Sequence, residues 1–124
     1  MIRNILIALF ALSVISCQPK TADIPDFDEV VWKEDINGCS GKRAAMSEQL
    51  DSHREVIKGL NQDEVVELLG KPDKNELYKR NQKFFIYEIS NAESCDNQTQ
   101  GPHTYLSIRF NATGLAKEVL IYKS

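Results

Sequence analysis

Three cysteines and two histidines are the side chains of this 124-residue chain best suited to nucleophilic, redox or metal chemistry: Cys17, Cys39, Cys95, His53 and His103. Structural zinc sites need about four ligands, usually in short pairs such as C-x-x-C, and no such pair occurs in the sequence. The chain also lacks the GxSxG, HExxH and phosphate-loop motifs of common enzymes. The sequence therefore predicts no metal, no cofactor and no catalytic centre.

The segment before Cys17 has the features of an export signal. Arg3 provides a positive charge, Ile5–Leu12 is an unbroken apolar run, and the small Ser16 marks a cleavage point. The run is too short to cross a bilayer core of about 30 Å, which needs about 20 residues. The sequence VISC at residues 14–17 resembles a bacterial lipobox, in which the cysteine thiol takes a diacylglyceryl group. The alternative is an ordinary secreted protein whose first residue is cysteine.

These features predict a lipoprotein signal peptide at residues 1–16 and a lipid anchor at Cys17 that holds the protein in the cell envelope, at the outer membrane. Residues 17–28 contain two prolines and several aspartates, which predicts a flexible tether. A single domain is then expected at residues 29–124. The net charge is −3 and no basic stripe occurs, so a nucleic-acid partner is not expected. The expected partners are the membrane, through the lipid, and a protein of the envelope.

Once Cys17 is acylated, Cys39 and Cys95 remain. An oxidising compartment outside the cytoplasm favours a disulfide between them. In the chain-entropy treatment, closing a loop of this length stabilises the fold by roughly 3–4 kcal/mol. A reactive or metal-binding pair of thiols is the alternative.

From Arg43 onward the apolar residues recur at helical spacing. Met46, Leu50, His53 and Ile57 follow one another at intervals of four, three and four, which predicts one stripe of an amphipathic helix. On this stripe, His53 is expected to be half-buried and hydrogen-bonded rather than a functional base.

A second helix is predicted at Gln62–Leu69 by its end signals. Asn61 and Glu64 have the spacing of a capping box, in which each side chain bonds the other residue's backbone N–H. Gly70 is suited to the left-handed residue that ends a helix, and Pro72 prevents the helix from continuing.

After this helix the apolar period changes from about 3.6 to 2, the period of a β-strand. Strands are predicted at Glu76–Tyr78, 83–90, Tyr105–Phe110 and Leu115–Tyr122, with a hairpin turn at 111–114. The predicted fold class is α+β, with two helices packed on one face of a three- to four-stranded antiparallel meander.

Four motifs follow one another in this part of the chain: the segment KGLN at 58–61, the helix ending LLGKP at 68–72, the aromatic strand FIY at 85–87, and the final strand pair around Phe110 and Gly114. With these motifs, the chain from residue 57 to about residue 122 resembles the SmpA/OmlA (BamE-type) family of small lipoproteins. The resemblance implies a non-catalytic accessory subunit of an outer-membrane protein assembly machine. Unrelated lipoproteins and β-lactamase-inhibitor-type proteins share this fold, so the alternative is an inhibitor or small-ligand-binding lipoprotein that uses the exposed sheet face.

Helices on one face leave the second face of the sheet as the candidate binding surface. Strand alternation assigns Tyr105 and Arg109 to it, and Phe84 and Ile86 lie on one side of an aromatic-rich strand. We predict a partner-binding patch formed by Trp32, Phe84, Tyr105 and Arg109, residue types that are frequent at interface hot spots. The alternative is that the N-terminal segment folds over this face.

Trp32 begins a segment for which a structural role is the main alternative. A tryptophan that caps a small core beside the disulfide, with an Asp35–Arg43 pair, explains the same residues. His103, in a Gly-Pro loop, is expected to be solvated.

Overall fold

In a computed structural model of the chain, the described residues are 22–98 and 100–124. Within them the protein forms four α-helices, one short 3-10 turn and one four-stranded sheet. The helices are α1 Glu29–Glu34, α2 Lys42–Ser52, α3 Arg54–Ile57 and α4 Gln62–Leu69; the strands are β1 Lys74–Tyr78, β2 Gln82–Ser90, β3 Thr104–Phe110 and β4 Ala116–Lys123. The predicted signal peptide at 1–16 and the lipidation of Cys17 fall outside the described residues.

The sheet is an antiparallel meander in the order β1-β2-β3-β4. The predicted α+β class is therefore confirmed, and the predicted strands differ from the observed ones by one or two residues at their ends. The turn between β3 and β4 lies where the sequence predicts it, with the Gly114 N–H donating to the Asn111 carbonyl over 2.9 Å.

Helix α4 has the predicted bounds and the predicted capping box. The Asn61 side chain accepts from the Glu64 N–H at 2.8 Å, and the Glu64 carboxylate accepts from the Asn61 N–H at 3.0 Å. Gly70 has the predicted positive φ of +81°, but its ψ of −175° is extended rather than left-handed helical. That region of backbone conformation is essentially restricted to glycine. The chain thus leaves α4 directly in an extended path toward β1.

The first predicted helix is wrong in one respect, because the structure has two helices, α2 and α3, in its place. At His53 the backbone changes to φ −121° and ψ 29°, which separates α2 from α3. The apolar stripe does not detect this break, because Leu50 and Ile57 are both buried on either side of it. Helix α1 was not predicted; it is six residues long, and its Asp28 cap accepts from two backbone N–H groups.

The predicted tether at 17–28 is wrong in its last residues. Ile24 is buried in the core, and the Phe27 ring lies 5.3 Å from the Trp32 ring. The ordered domain therefore begins before residue 29. Composition alone favoured a tether because two apolar residues separated by proline and aspartate form no recognisable period.

The hydrophobic core lies between the helices and one face of the sheet, here called the inner face. The sheet contributes Phe85, Tyr87, Ile89, Leu106, Ile108, Phe110 and Val119, and the helical side contributes Trp32, Leu50, Ile57, Val65, Leu68 and Leu69. Burying a large apolar side chain stabilises a fold by about 1.5–3 kcal/mol. The packing thus fixes the sheet to the helices through its inner face.

Candidate functional site

The disulfide between Cys39 and Cys95 is present, as predicted, with a Cα–Cα distance of 5.4 Å. It joins the segment before α2 to the loop between β2 and β3. Next to the disulfide, the main chain at Gly38 packs closely against β2. Only glycine fits there, because a Cβ at that position would lie 2.5 Å from the Ile89 carbonyl oxygen. These two thiols are consequently not free for redox or metal chemistry.

The predicted pairing of Asp35 with the Arg43 side chain is wrong. The Asp35 carboxylate instead accepts from the backbone N–H groups of Ser40, at 2.7 Å, and Arg43, at 2.9 Å. The Arg43 guanidinium forms its ion pair with Asp73 at 2.7 Å, and the two side chains are only 2% and 4% exposed. Asp35 thus orders the start of α2, while Asp73 balances the buried charge.

The buried ion pair holds one residue of β2 in place through its backbone. Arg43 Nη1 donates to the Glu88 carbonyl at 3.0 Å, and the Asp73 carboxylate accepts from the Glu88 N–H at 2.8 Å. A third bond runs from Arg43 Nε to the Trp32 carbonyl at 2.8 Å. The main chain of Glu88 is therefore fixed by the buried ion pair.

The second face of the sheet, here called the outer face, is defined by three rows of directly opposed residues. The rows are Lys74–Ile86–Ser107–Leu120, Glu76–Phe84–Arg109–Glu118 and Glu88–Tyr105–Tyr122. Opposed residues of an antiparallel pair share a face, so these side chains all project away from the helices. The predicted assignment of Tyr105 and Arg109 to one face is confirmed.

Part of the outer face is concave and forms a pocket of about 490 Å³, here called the basin. Its floor contains the Glu88 carboxylate, which is only 3% exposed although no helix residue lines the basin. His103 Nε2 lies 2.5 Å from one carboxylate oxygen, and Lys74 Nζ lies 3.5 Å from the other. A buried carboxylate is costly unless it is paired, and these two groups supply the pairing.

Several aromatic side chains lie on the outer face, in and near the basin. The Tyr105 and Tyr122 rings are stacked with centroids 5.3 Å apart, and the His103 ring lies 5.2 Å from that of Tyr105. On the β1 side, Tyr78 meets Phe84 edge-on at 5.4 Å. The outer face thus combines ring surfaces with a fixed negative charge.

Arg109 lies beside the basin in the middle of the outer face. Its guanidinium donates to Gln82 at 2.9 Å and to the partly exposed Glu118 at 3.2 Å. Both partners are surface groups, so the side chain is positioned but still accessible to a further acceptor.

Three of the four predicted partner-binding residues come together on the outer face: Phe84, Tyr105 and Arg109. Trp32 does not, because it is fully buried on the helix side and contacts the rings of Phe27 and Tyr87. Its placement in an exposed patch was wrong. Ile86 is also more buried than predicted, at 7% exposure.

Of the two predictions made for the histidines, one is confirmed and one is wrong. His53 is half-buried, and its Nδ1 lies 2.9 Å from the Gln49 carbonyl oxygen, as predicted. The prediction that His103 is solvated is wrong, because it pairs with Glu88. One feature of the sequence points to this pair: Glu88 is the single acidic residue within the apolar strand at 84–89.

Comparison of the chain with protein-family models, with curated proteins and with solved structures finds no match in any of the three. No helix within the described residues is long and apolar enough to cross a membrane.

Proposed function

We propose that the protein is a lipid-anchored, non-catalytic binding module of the cell envelope, and that its outer face receives a protein partner. The observation that carries the proposal is the composition of this face: the stacked Tyr105–Tyr122 pair, Phe84 and Arg109 lie together on the side of the sheet away from the helices. Tyrosine and arginine are among the residue types that contribute most to binding at interface hot spots.

The envelope location rests on the signal-like segment and on the VISC sequence that ends at Cys17. The disulfide supports it, since such bonds persist in oxidising compartments. The finer fold assignment is also part of the proposal: helices on a meander, with α4 ending at Gly70, are compatible with the SmpA/OmlA (BamE-type) family. On that basis the partner is an integral protein of an outer-membrane complex.

Site-specific photo-crosslinking in whole cells tests the proposed surface. A photo-reactive amino acid at Tyr105 should form a crosslink with an integral membrane protein, whereas the same group at Glu67, exposed on α4, should not. If both positions crosslink equally, or neither does, the outer face is not the partner surface. A crosslink from Tyr105 to a soluble enzyme would support the inhibitor alternative instead.

Alanine variants separate binding from folding. Tyr105→Ala and Arg109→Ala should weaken partner capture, by about 2 kcal/mol or more for a hot-spot residue, with a nearly unchanged melting temperature. The control is Leu69→Ala, which opens a cavity in the core and should lower stability by about 2–5 kcal/mol. If every outer-face variant unfolds the domain without a separable binding defect, the patch does not exist.

The anchor is tested independently of the patch. Cys17→Ser should move the protein out of the membrane fraction and lower its mass by that of the lipid. A variant that stays in the membrane fraction with no lipid-sized mass change would remove the anchor from the proposal.

A further inference from the structure

We infer that the basin binds a basic side chain, lysine or arginine, presented by the protein partner, with the Glu88 carboxylate as its counterion. This inference rests on the proposed function, because it names the chemistry by which the outer face selects its partner.

The first support is the fixed position of the carboxylate. The Glu88 N–H donates to Asp73 at 2.8 Å and the Glu88 carbonyl accepts from Arg43 at 3.0 Å, so the buried ion pair holds the main chain of this residue in place. Its carboxylate projects into the basin and is 3% exposed. A charge that is already desolvated and positioned does not have to be ordered again when a ligand binds, which favours affinity.

The second support is that one of the two groups paired with this carboxylate is loosely held: His103 Nε2 lies 2.5 Å from one carboxylate oxygen, whereas Lys74 lies farther from the other. Lys74 Nζ lies 3.5 Å from Glu88, beyond the usual N–H···O distance of about 2.7–3.2 Å. The Lys74 side chain is 59% exposed and starts from the edge strand β1. An incoming ammonium or guanidinium group can therefore replace Lys74 at the carboxylate at small cost.

The third support is the sign of the charge and the nature of the walls. Two carboxylates, Glu76 and Glu88, line the basin together with the ammonium group of Lys74 and the imidazole of His103. The rings of Tyr105 and Tyr122 also line it, and aromatic faces attract cations. An anionic group would meet the Glu88 carboxylate, which carries a charge of the same sign, at close range. The basin is thus complementary to a cation with an aliphatic stem.

The test is an NMR titration of the full-length chain, purified in a non-ionic detergent. The probes are N-acetyl-lysine methylamide and N-acetyl-arginine methylamide, with N-acetyl-norleucine methylamide as the uncharged control and N-acetyl-glutamate as the anionic control. The basic probes should shift the backbone amide signals of Glu88, Tyr105 and Ser107 in a saturable way. Norleucine should bind at least about tenfold more weakly, as expected when a charge-assisted hydrogen bond is lost. The anion should shift none of these signals.

Two variants should change the affinity for the basic probes in opposite directions. Glu88→Gln retains the shape of the side chain and should weaken the basic probes by about tenfold or more. Lys74→Met removes the competing ammonium group and should strengthen them several-fold. Because Lys74 is exposed, the second variant remains informative even if the first one unfolds.

The inference is overturned if norleucine binds as well as lysine, if the anion binds, if Lys74→Met abolishes binding, or if the basic probes cause no saturable shift up to about 50 mM. Failure of the inference is distinguishable from failure of the proposed function. If Tyr105 still crosslinks to a membrane protein while the probes fail, the surface binds a partner by other contacts. If the probes bind but Tyr105 crosslinks to nothing, the basin accepts a free organic cation and the docking of a protein side chain is wrong.

Discussion

Replacing Arg43 with methionine should lower the free energy of unfolding by about 3–5 kcal/mol, the usual cost of leaving one partner of a buried ion pair uncompensated. Methionine retains most of the length and apolar volume of arginine, so the loss comes from charge and hydrogen bonding rather than from a cavity. The structure places the Arg43 and Asp73 side chains at 2% and 4% exposure. Three bonds would be lost at once, to Trp32, Asp73 and Glu88.

A double-mutant cycle isolates the pair itself. Asp73→Asn keeps the size of the side chain and one acceptor oxygen, and should also destabilise because it leaves the guanidinium unpaired. Arg43→Met combined with Asp73→Asn should cost less than the sum of the single changes, by about 1–3 kcal/mol, as is typical of residues in direct contact.

The assay is urea unfolding at neutral pH with the disulfide intact. Trp32 is the only tryptophan in the sequence and is fully buried, so its fluorescence reports the loss of the core. The slope of the unfolding free energy against urea concentration should be the same in all variants. A variant that shifts only the midpoint of the transition has changed in stability and not in the surface exposed on unfolding. Arg54→Met is the matched control: the pair of Arg54 with Asp51 is largely exposed, and its loss should cost under about 1 kcal/mol. A cost below about 1 kcal/mol for Arg43→Met, or additive single effects, would refute the role assigned to the pair.

Three further predictions concern backbone strain, the disulfide and pH. Gly70→Val should lower the stability by about 1–3 kcal/mol in thermal melting, and by more than Gly59→Val does. A Cβ at Gly70 would lie 2.9 Å from a Lys33 side-chain atom, whereas a Cβ at Gly59 would meet nothing within 4 Å. Equal losses in the two variants would show that crowding at Gly70 is not the cause. Replacing Cys39 and Cys95 together with alanine should cost about 4 kcal/mol by urea unfolding, and an unchanged midpoint would show that the bond adds no stability. Burial raises the pKa of the Tyr87 phenol, so the folded state keeps a proton that the unfolded chain loses above pH about 10; stability should therefore be fully present below that pH and fall above it by up to about 1.4 kcal/mol per pH unit. The same slope in Tyr87→Phe, measured by urea unfolding, would contradict this assignment.

The parts of the fold that could be predicted from sequence are those whose signals are local. Helix α4 has its cap, its apolar side and its glycine within ten consecutive residues, Asn61 to Gly70. The strand pair around Asn111–Gly114 has an alternating pattern on each side of a turn sequence. In both cases neighbouring residues alone determine which backbone conformation is favourable.

The parts that were missed depend on contacts between distant residues. Arg43 pairs with Asp73 rather than with nearby Asp35, and nothing in the spacing distinguishes the two carboxylates. His103 pairs with Glu88 across the β2–β3 connection. Such partners become visible only when the strand register is known, because a shift by one residue would move Glu88 to the inner face.

Glu88 links the core to the outer face, and this link gives a physical reason for the buried ion pair. Buried ion pairs are weak sources of stability, since well-packed apolar side chains often serve as well or better. The Arg43–Asp73 pair, however, also binds both the N–H and the carbonyl of Glu88. Because the direction of a strand side chain is set by its own backbone, those two backbone bonds help to determine where the carboxylate lies on the outer face. The charge pair in the core thus contributes position as well as energy, and the position that it fixes is that of the basin carboxylate.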